Sequence, residues 1–189
     1  MKQLLVIIAI CCGVVFASAQ KLVEYRINTN YGFTDPDGNK NVVVEFPGKS
    51  AHQIYNALAI NIGLIYNKPN DVMYGVEDEL ITVSGYSNEF CKAGGNTWSA
   101  RYSIIFRIKD GKVLVLNPSI YSLTSNGYPI TNRKKLDFKD LIHQYWYDDN
   151  TGKFLVDQSK NMEACEARIM DIVNMILGVF PSGEIPSEW

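Results

Sequence analysis

What is scarce in this chain narrows it before any motif is read. Histidine occurs twice, at His52 and His143. No H-x-x-x-H or paired Cys/His spacing joins them, so no zinc site is legible and each reads as a surface or packing residue. There is no G-x-S-x-G elbow, which removes the usual setting for a serine nucleophile. Neither charge sign dominates: 18 basic against 20 acidic residues is too even a balance to steer the chain toward nucleic acid or an anionic membrane. The one basic cluster, Arg133-Lys134-Lys135, is short and isolated and reads as a solvated loop or strand end. Low-complexity tracts and internal repeats are absent, and no apolar run reaches the ~20 residues that span a bilayer.

The longest apolar run is at the start. Met1-Lys2-Gln3 is followed by 13 apolar residues, Leu4 to Phe16, and by Ala17-Ser18-Ala19. A basic start, a short apolar stretch and an A-x-A site make a signal peptide over residues 1–19, with cleavage between Ala19 and Gln20. Cys11 and Cys12 lie inside the apolar run, and neither follows a small residue as lipid attachment requires, so ordinary cleavage is expected. The expected mature chain is exported, periplasmic or extracellular, soluble, and 170 residues long, which suits one domain with a sizeable core. Only Lys2 leaves with the leader, so 17 basic and 20 acidic residues remain, a net of −3.

Cleavage leaves two cysteines, Cys91 and Cys165. In an oxidising compartment they can form one disulfide closing a loop of about 75 residues, a contribution of roughly 4 kcal/mol. Two separate buried thiols fit equally well, since free cysteine packs as a small hydrophobe. Neither lies in a recognisable nucleophile motif.

Periodicity then outlines the elements. Residues Lys21 to Ile27 alternate, with Val23, Tyr25 and Ile27 on one side, as a half-buried strand does. Thr34 to Asn39 is turn chemistry, and Asn41 to Phe46 a second strand with Val42, Val44 and Phe46 facing one way. Ser50 and Gln53 form a capping box before Ile54, Leu58, Ile62 and Ile65 at helical spacing, and Asn67 with Pro69 ends that helix. Strands are predicted over 80–86, 101–109 and 112–116, the last two joined by the hairpin signal Asp110-Gly111, with Ala93 to Asn96 as a loop. A short helix is predicted over 137–147 and a turn at 149–152. A long amphipathic helix is predicted over 159–177, with Met162, Cys165, Ile169, Ile172 and Ile176 on one stripe and Gly178 and Pro181 at its end. It needs a surface to cover, and the exposed face of the sheet is the expected one.

Candidates for chemistry each have a plain structural explanation. Asp35-x-Asp37 and Asp149-x-Thr151-Gly152 offer oxygen ligands, but neither matches a calcium loop, and turn formation accounts for both. Glu77-Asp78-Glu79 supplies carboxylates whose side chains diverge, as at a charged strand entry. Tyr145, Trp146 and Tyr147, with Tyr121 and Tyr128 upstream, can form an aromatic platform for a ligand or partner, or fill the gap between sheet and helix.

Three segments in order carry a resemblance: the strand-turn-helix VVVEFPGKSAHQIYNALAINI, the strand DELITVSGY and the hairpin YSIIFRIKDGKVLVLNPSIY. From Val42 to about Tyr121 the chain resembles secreted Bacteroidetes proteins carrying the domain of unknown function 4468. The resemblance implies a TATA-binding-protein-like β-α-β-β-β core with a curved antiparallel sheet. It implies nothing about DNA binding and carries over no site residue.

The expected organisation is therefore α+β. A leader (1–19) precedes an N-terminal strand and turn (20–41), and a curved antiparallel sheet on one helix follows (42–125). A C-terminal extension with the amphipathic helix (126–180) and a tail (181–189) complete the chain. The expected function is a non-catalytic envelope module that binds another protein or a cell-surface component, without cofactor, metal or nucleic acid. The alternative is a glycan- or lipid-binding protein whose pocket lies between the sheet and the C-terminal helix.

Overall fold

The structure, a computed structural model, describes residues 21–28, 32–93, 96–125, 128–129, 147–148, 150–154 and 159–179. The leader, the tail, and the helix predicted from Asp137 as far as Trp146 lie outside these residues. Tyr147, its expected last residue, stands in a strand instead.

In chain order the elements are β1 (Arg26–Asn28), β2 (Gly32–Thr34), β3 (Val42–Glu45), α1 (Ala51–Ile65), α2 (Pro69–Val72) and β4 (Met73–Val76). There follow β5 (Leu80–Ala93), β6 (Asn96–Lys109), β7 (Lys112–Val115), β8 (Ser119–Ser125) and β9 (Tyr128–Pro129). Last come β10 (Tyr147–Asp148), β11 (Lys153–Phe154) and α3 (Ser159–Leu177). The main sheet is antiparallel in the order β3-β7-β6-β5-β4, and β8 pairs with the first half of β6 where β7 pairs with the second. β1 with β2, and β10 with β11, form two small separate ribbons.

Alternation along β5 and β6 decides the two faces. Ile81 and Val83 on β5, and Tyr102, Ile104, Phe106 and Ile108 on β6, all turn inward and are buried. Val113 and Val115 on β7 continue that face. Helix α1 lays Ile54, Leu58 and Ile62 onto it. Its start carries the expected capping box, Ser50 Oγ accepting from Gln53 N and Gln53 Oε1 from Ser50 N. Asp110, in the β6–β7 turn, adds a further cap by accepting from Ala51 N at 2.7 Å.

The long helix α3 does not cover the opposite face as its amphipathic stripe suggested. It packs beside α1 and on β5, on the same side of the sheet, burying Cys165, Ile169, Ile172 and Ile176. Length explains this. The fourteen-residue strands β5 and β6 each extend about 46 Å, whereas the fifteen residues of α1 cover only about 22 Å. A second helix is needed for the rest of the buried face.

The N-terminal segment alternates as predicted, with Val23, Tyr25 and Ile27 buried, but only 26–28 pairs as a strand. Side chains of α3 supply its other partners. Asn174 accepts from Val23 N at 2.8 Å and donates to Val23 O at 2.9 Å, while Glu166 accepts from Ile27 N at 2.6 Å. The spacing matches: eight helical residues rise about 12 Å and four extended ones about 13 Å.

One aromatic contact ties α1 to the sheet. Tyr102 lies across Gly85, where an added Cβ would meet its ring at 2.4 Å, and its hydroxyl pairs with that of Tyr66 at 2.8 Å. Tyr66 is the C-cap residue of α1, so the absence of a side chain at residue 85 lets the ring reach the helix end. Gly85→Ala is expected to lose about 1–3 kcal/mol in a urea melt by displacing that ring. Tyr66→Phe alone should cost about 1 kcal/mol, and much less in the Gly85→Ala background, where the pair is already broken.

Candidate functional site

Because α1 and α3 share one side of the sheet, the other side is not covered by either helix. Its composition follows from register. Val43, Leu114, Arg107, Leu80 and Val76 stand directly opposite one another across all five strands from β3 to β4. A second row holds Tyr74, Thr82 and Ile105, and a third Ser84 and Ser103. Further along, Tyr86 faces Arg101, whose guanidinium lies 5.2 Å from the ring centroid in a cation–π contact. Val43, Tyr74, Val76 and Tyr86 are each more than half exposed. A shallow surface results, aliphatic toward β3 and β4, with Arg107 at its middle.

A cleft of about 740 Å³ borders this face at its β3 edge. Its walls are the N-terminal stretch Lys21–Glu24, the turn around Asp35 and Asp37, and β3 itself. Asn39 donates to the Asp35 carboxylate through both its backbone N–H and its side chain, and these bonds hold Asp35 below the usual carboxylate range. The N-terminal wall is kept in place by the Asn174 and Glu166 contacts to Val23 and Ile27.

The interface between the sheet and α3 is filled by side chains. Cys165, Ile169, Val173 and Ile176 are fully buried there, so the pocket expected beneath the C-terminal helix is closed, and the cleft lies instead beside β3.

A third cluster was not legible from spacing. His52, in the first turn of α1, meets the β4–β5 turn, with Nδ1 3.0 Å from Asp78 Oδ1 and 3.8 Å from Glu77 Oε1. Asp78 adopts φ 63°, a left-handed conformation that turns its carboxylate toward the helix. Asn56 Nδ2 lies 2.9 Å from His52 Nε2, so Nε2 accepts and Nδ1–H donates to Asp78. One oxygen or nitrogen atom each from His52, Glu77 and Asp78 lies within 4.8 Å of the others, and the His52–Asp78 hydrogen bond links the helix to the turn.

Of the aromatic platform, Tyr145 and Trp146 fall outside the described residues and Tyr147 is described only as a member of β10. Tyr121, on β8, is exposed and donates to the backbone carbonyl of Tyr102 at 3.4 Å. Cys91 and Cys165 come together at 3.4 Å, unbonded and buried. The turn residue Asp148 accepts from Asn150 N and Thr151 N, which holds its carboxyl below the ordinary range, while Asp149 of the acidic turn lies outside the described residues.

No protein-family model matches the chain, and no curated protein does. Among solved structures it is similar to a TBP-like protein from Parabacteroides distasonis, at TM-score 0.52 and 14% identity over 74% of this chain and 89% of that one. It is also similar to a DUF4468 family protein from Bacteroides ovatus, at TM-score 0.49 and 16% identity over 76% and 87% respectively. The fold is TBP-like α+β, the class that the three sequence segments implied.

Glu166 yields a pH test. Burial raises its carboxyl above the ordinary range, opposed by the Ile27 N–H bond and by Arg26 at 3.6 Å. The folded state therefore holds this proton more tightly than the unfolded chain does. Its contribution is most favourable below the ordinary glutamate value and declines as pH rises through the raised one. Glu166→Gln keeps an acceptor for Ile27 N–H and removes the desolvated charge. In urea melts from about pH 4 to 7, the stability of the variant relative to wild type is expected to rise with pH.

Proposed function

We propose that the chain is an exported, non-catalytic binding module that engages a protein or cell-surface component of the envelope through the open face of its sheet. The observation that carries this reading is the row Val43–Leu114–Arg107–Leu80–Val76, which with Tyr74 leaves aliphatic and aromatic side chains on a surface neither helix covers. Large apolar side chains grouped this way around one arginine have the composition of an interface core. Export rests on the signal-peptide pattern of residues 1–19, and N-terminal sequencing of protein recovered from the cell envelope should begin at Gln20.

Paired variants test the surface. Val43→Glu with Val76→Glu places charges on exposed positions, so folding stability should change by no more than about 0.5 kcal/mol per site. Partners cross-linked to wild type in intact cells should be lost from this variant. They should be retained by Ile60→Glu with Leu64→Glu, which alters the exposed apolar positions of α1 instead. Retention by the sheet variant, or equal loss from both, counts against the sheet face.

The cleft beside β3 favours a second reading, a small-ligand site. Glu24, Asp35, Asp37 and Glu45 against Lys21 make its lining acidic and suited to a cationic group. A thermal melt against glycans, lipids, bile acids and divalent metals separates the readings. A cleft ligand at a hundred times its dissociation constant adds about 2.7 kcal/mol, while a flat panel leaves the sheet face ahead.

A further inference from the structure

We propose that Cys91 and Cys165 form a redox-active pair in which Cys91 is the entry nucleophile, Cys165 is the resolving thiol, and an external disulfide is the oxidant. Their sulfurs stand 3.4 Å apart, one on β5 and one on α3. A disulfide needs about 2.05 Å, so closure requires roughly 1.4 Å of side-chain movement, within reach of small rotations at the two residues.

The two thiols are not equivalent. Cys91 lies just past the register shift between Ser87 and Cys91, where the β5–β6 ladder is interrupted, and is 8% exposed against 0% for Cys165. The hydrogen bond between the two sulfurs and the positive charge of the Arg168 guanidinium, three residues along α3, both act on Cys91. Together these hold the Cys91 thiol below its ordinary range despite burial. The same contact, with full burial and the nearby charge of Glu166, pushes the Cys165 thiol up. Arg168 Nε is buried without a hydrogen-bond partner among the described residues. Of the two thiols, Cys91 is therefore the more readily ionised and the more accessible.

The chemistry then runs in two exchanges. The Cys91 thiolate attacks one sulfur of a small disulfide RSSR, forming the mixed disulfide Cys91–S–S–R as the S–S bond of RSSR breaks and one RS⁻ leaves. Cys165 gives up its proton, its sulfur attacks the Cys91 sulfur, and the second RS⁻ departs. Two protein thiols are oxidised to one disulfide, and RSSR is reduced to two RSH that take up the two protons. The new bond pins the middle of the core face of α3 to β5 and closes a loop with a sequence separation of 74 residues. It would persist in an oxidising compartment, but the exchange in vitro does not depend on where the chain resides.

The full mature chain incubated with oxidised glutathione provides the test. Intact mass should fall by about 2 Da, with no thiol left to alkylate after unfolding, and the melting temperature should rise by roughly 10 °C and return with reductant. Cys165→Ser should trap glutathione on Cys91, a gain of about 305 Da, faster than Cys91→Ser traps it on Cys165. Arg168→Gln should slow adduct formation in the Cys165→Ser background. Two alkylatable thiols persisting in the treated wild type would overturn the pairing, and equal trapping by the two single variants would overturn the division of roles. The wild-type mass needs no variant to fold, and the double Cys→Ser chain controls for changes in melting temperature unrelated to the bond.

Discussion

The pairing of β5 with β6 is the constraint on which the rest of the molecule depends. Side chains alternate with a period of two, so the register that places Ile81 opposite Phe106 and Val83 opposite Ile104 also assigns every other residue of both strands to a face. A slip of one residue would bring Arg101, Ser103 and Arg107 under the helices and expel Tyr102, Ile104 and Phe106. Burial of so many apolar groups on one side makes such a slip prohibitively costly. The same register lays out the exposed row from Val43 to Val76, so the core and the proposed binding surface are two consequences of one pairing.

Helix α3 extends that logic to the ends of the chain. It completes the buried face beyond the reach of α1 and offers Asn174 and Glu166 as partners to an N-terminal segment that has little strand pairing of its own. Buried backbone groups must be satisfied, and here side chains substitute for a neighbouring strand. The arrangement makes the N-terminal wall of the cleft depend on the docking of a helix some 140 residues later in sequence. A covalent link between Cys91 and Cys165 would act on that docking, and through it on the cleft.

The function we propose follows from where the helices are not. Both apolar helix stripes are consumed on one side of the sheet, leaving aliphatic and aromatic side chains on the other. Among the described residues, His52 joins a helix to a turn, Asp35 and Asp148 organise their own turns, and Glu166 holds backbone.

Local physics was legible in the residues alone. The capping box at Ser50 and Gln53, the Ile54, Leu58 and Ile62 stripe, the Asp110-Gly111 hairpin and the limits of the 159–177 helix all depend on spacing within a few residues. The alternation of Val23, Tyr25 and Ile27 was equally plain, yet what satisfies their backbone was not, since Asn174 and Glu166 are remote in sequence. Spacing marks strands only over 80–86 and 101–109, whereas β5 and β6 run for fourteen residues each, so the length of face that α3 must cover is not evident from the residues alone. The meeting of His52 with Asp78, of Cys91 with Cys165, and of five strands' outward residues in one row could come only from tertiary structure. Periodicity records how each element divides into faces, whereas which faces meet is set by register and packing between segments that share no local signal.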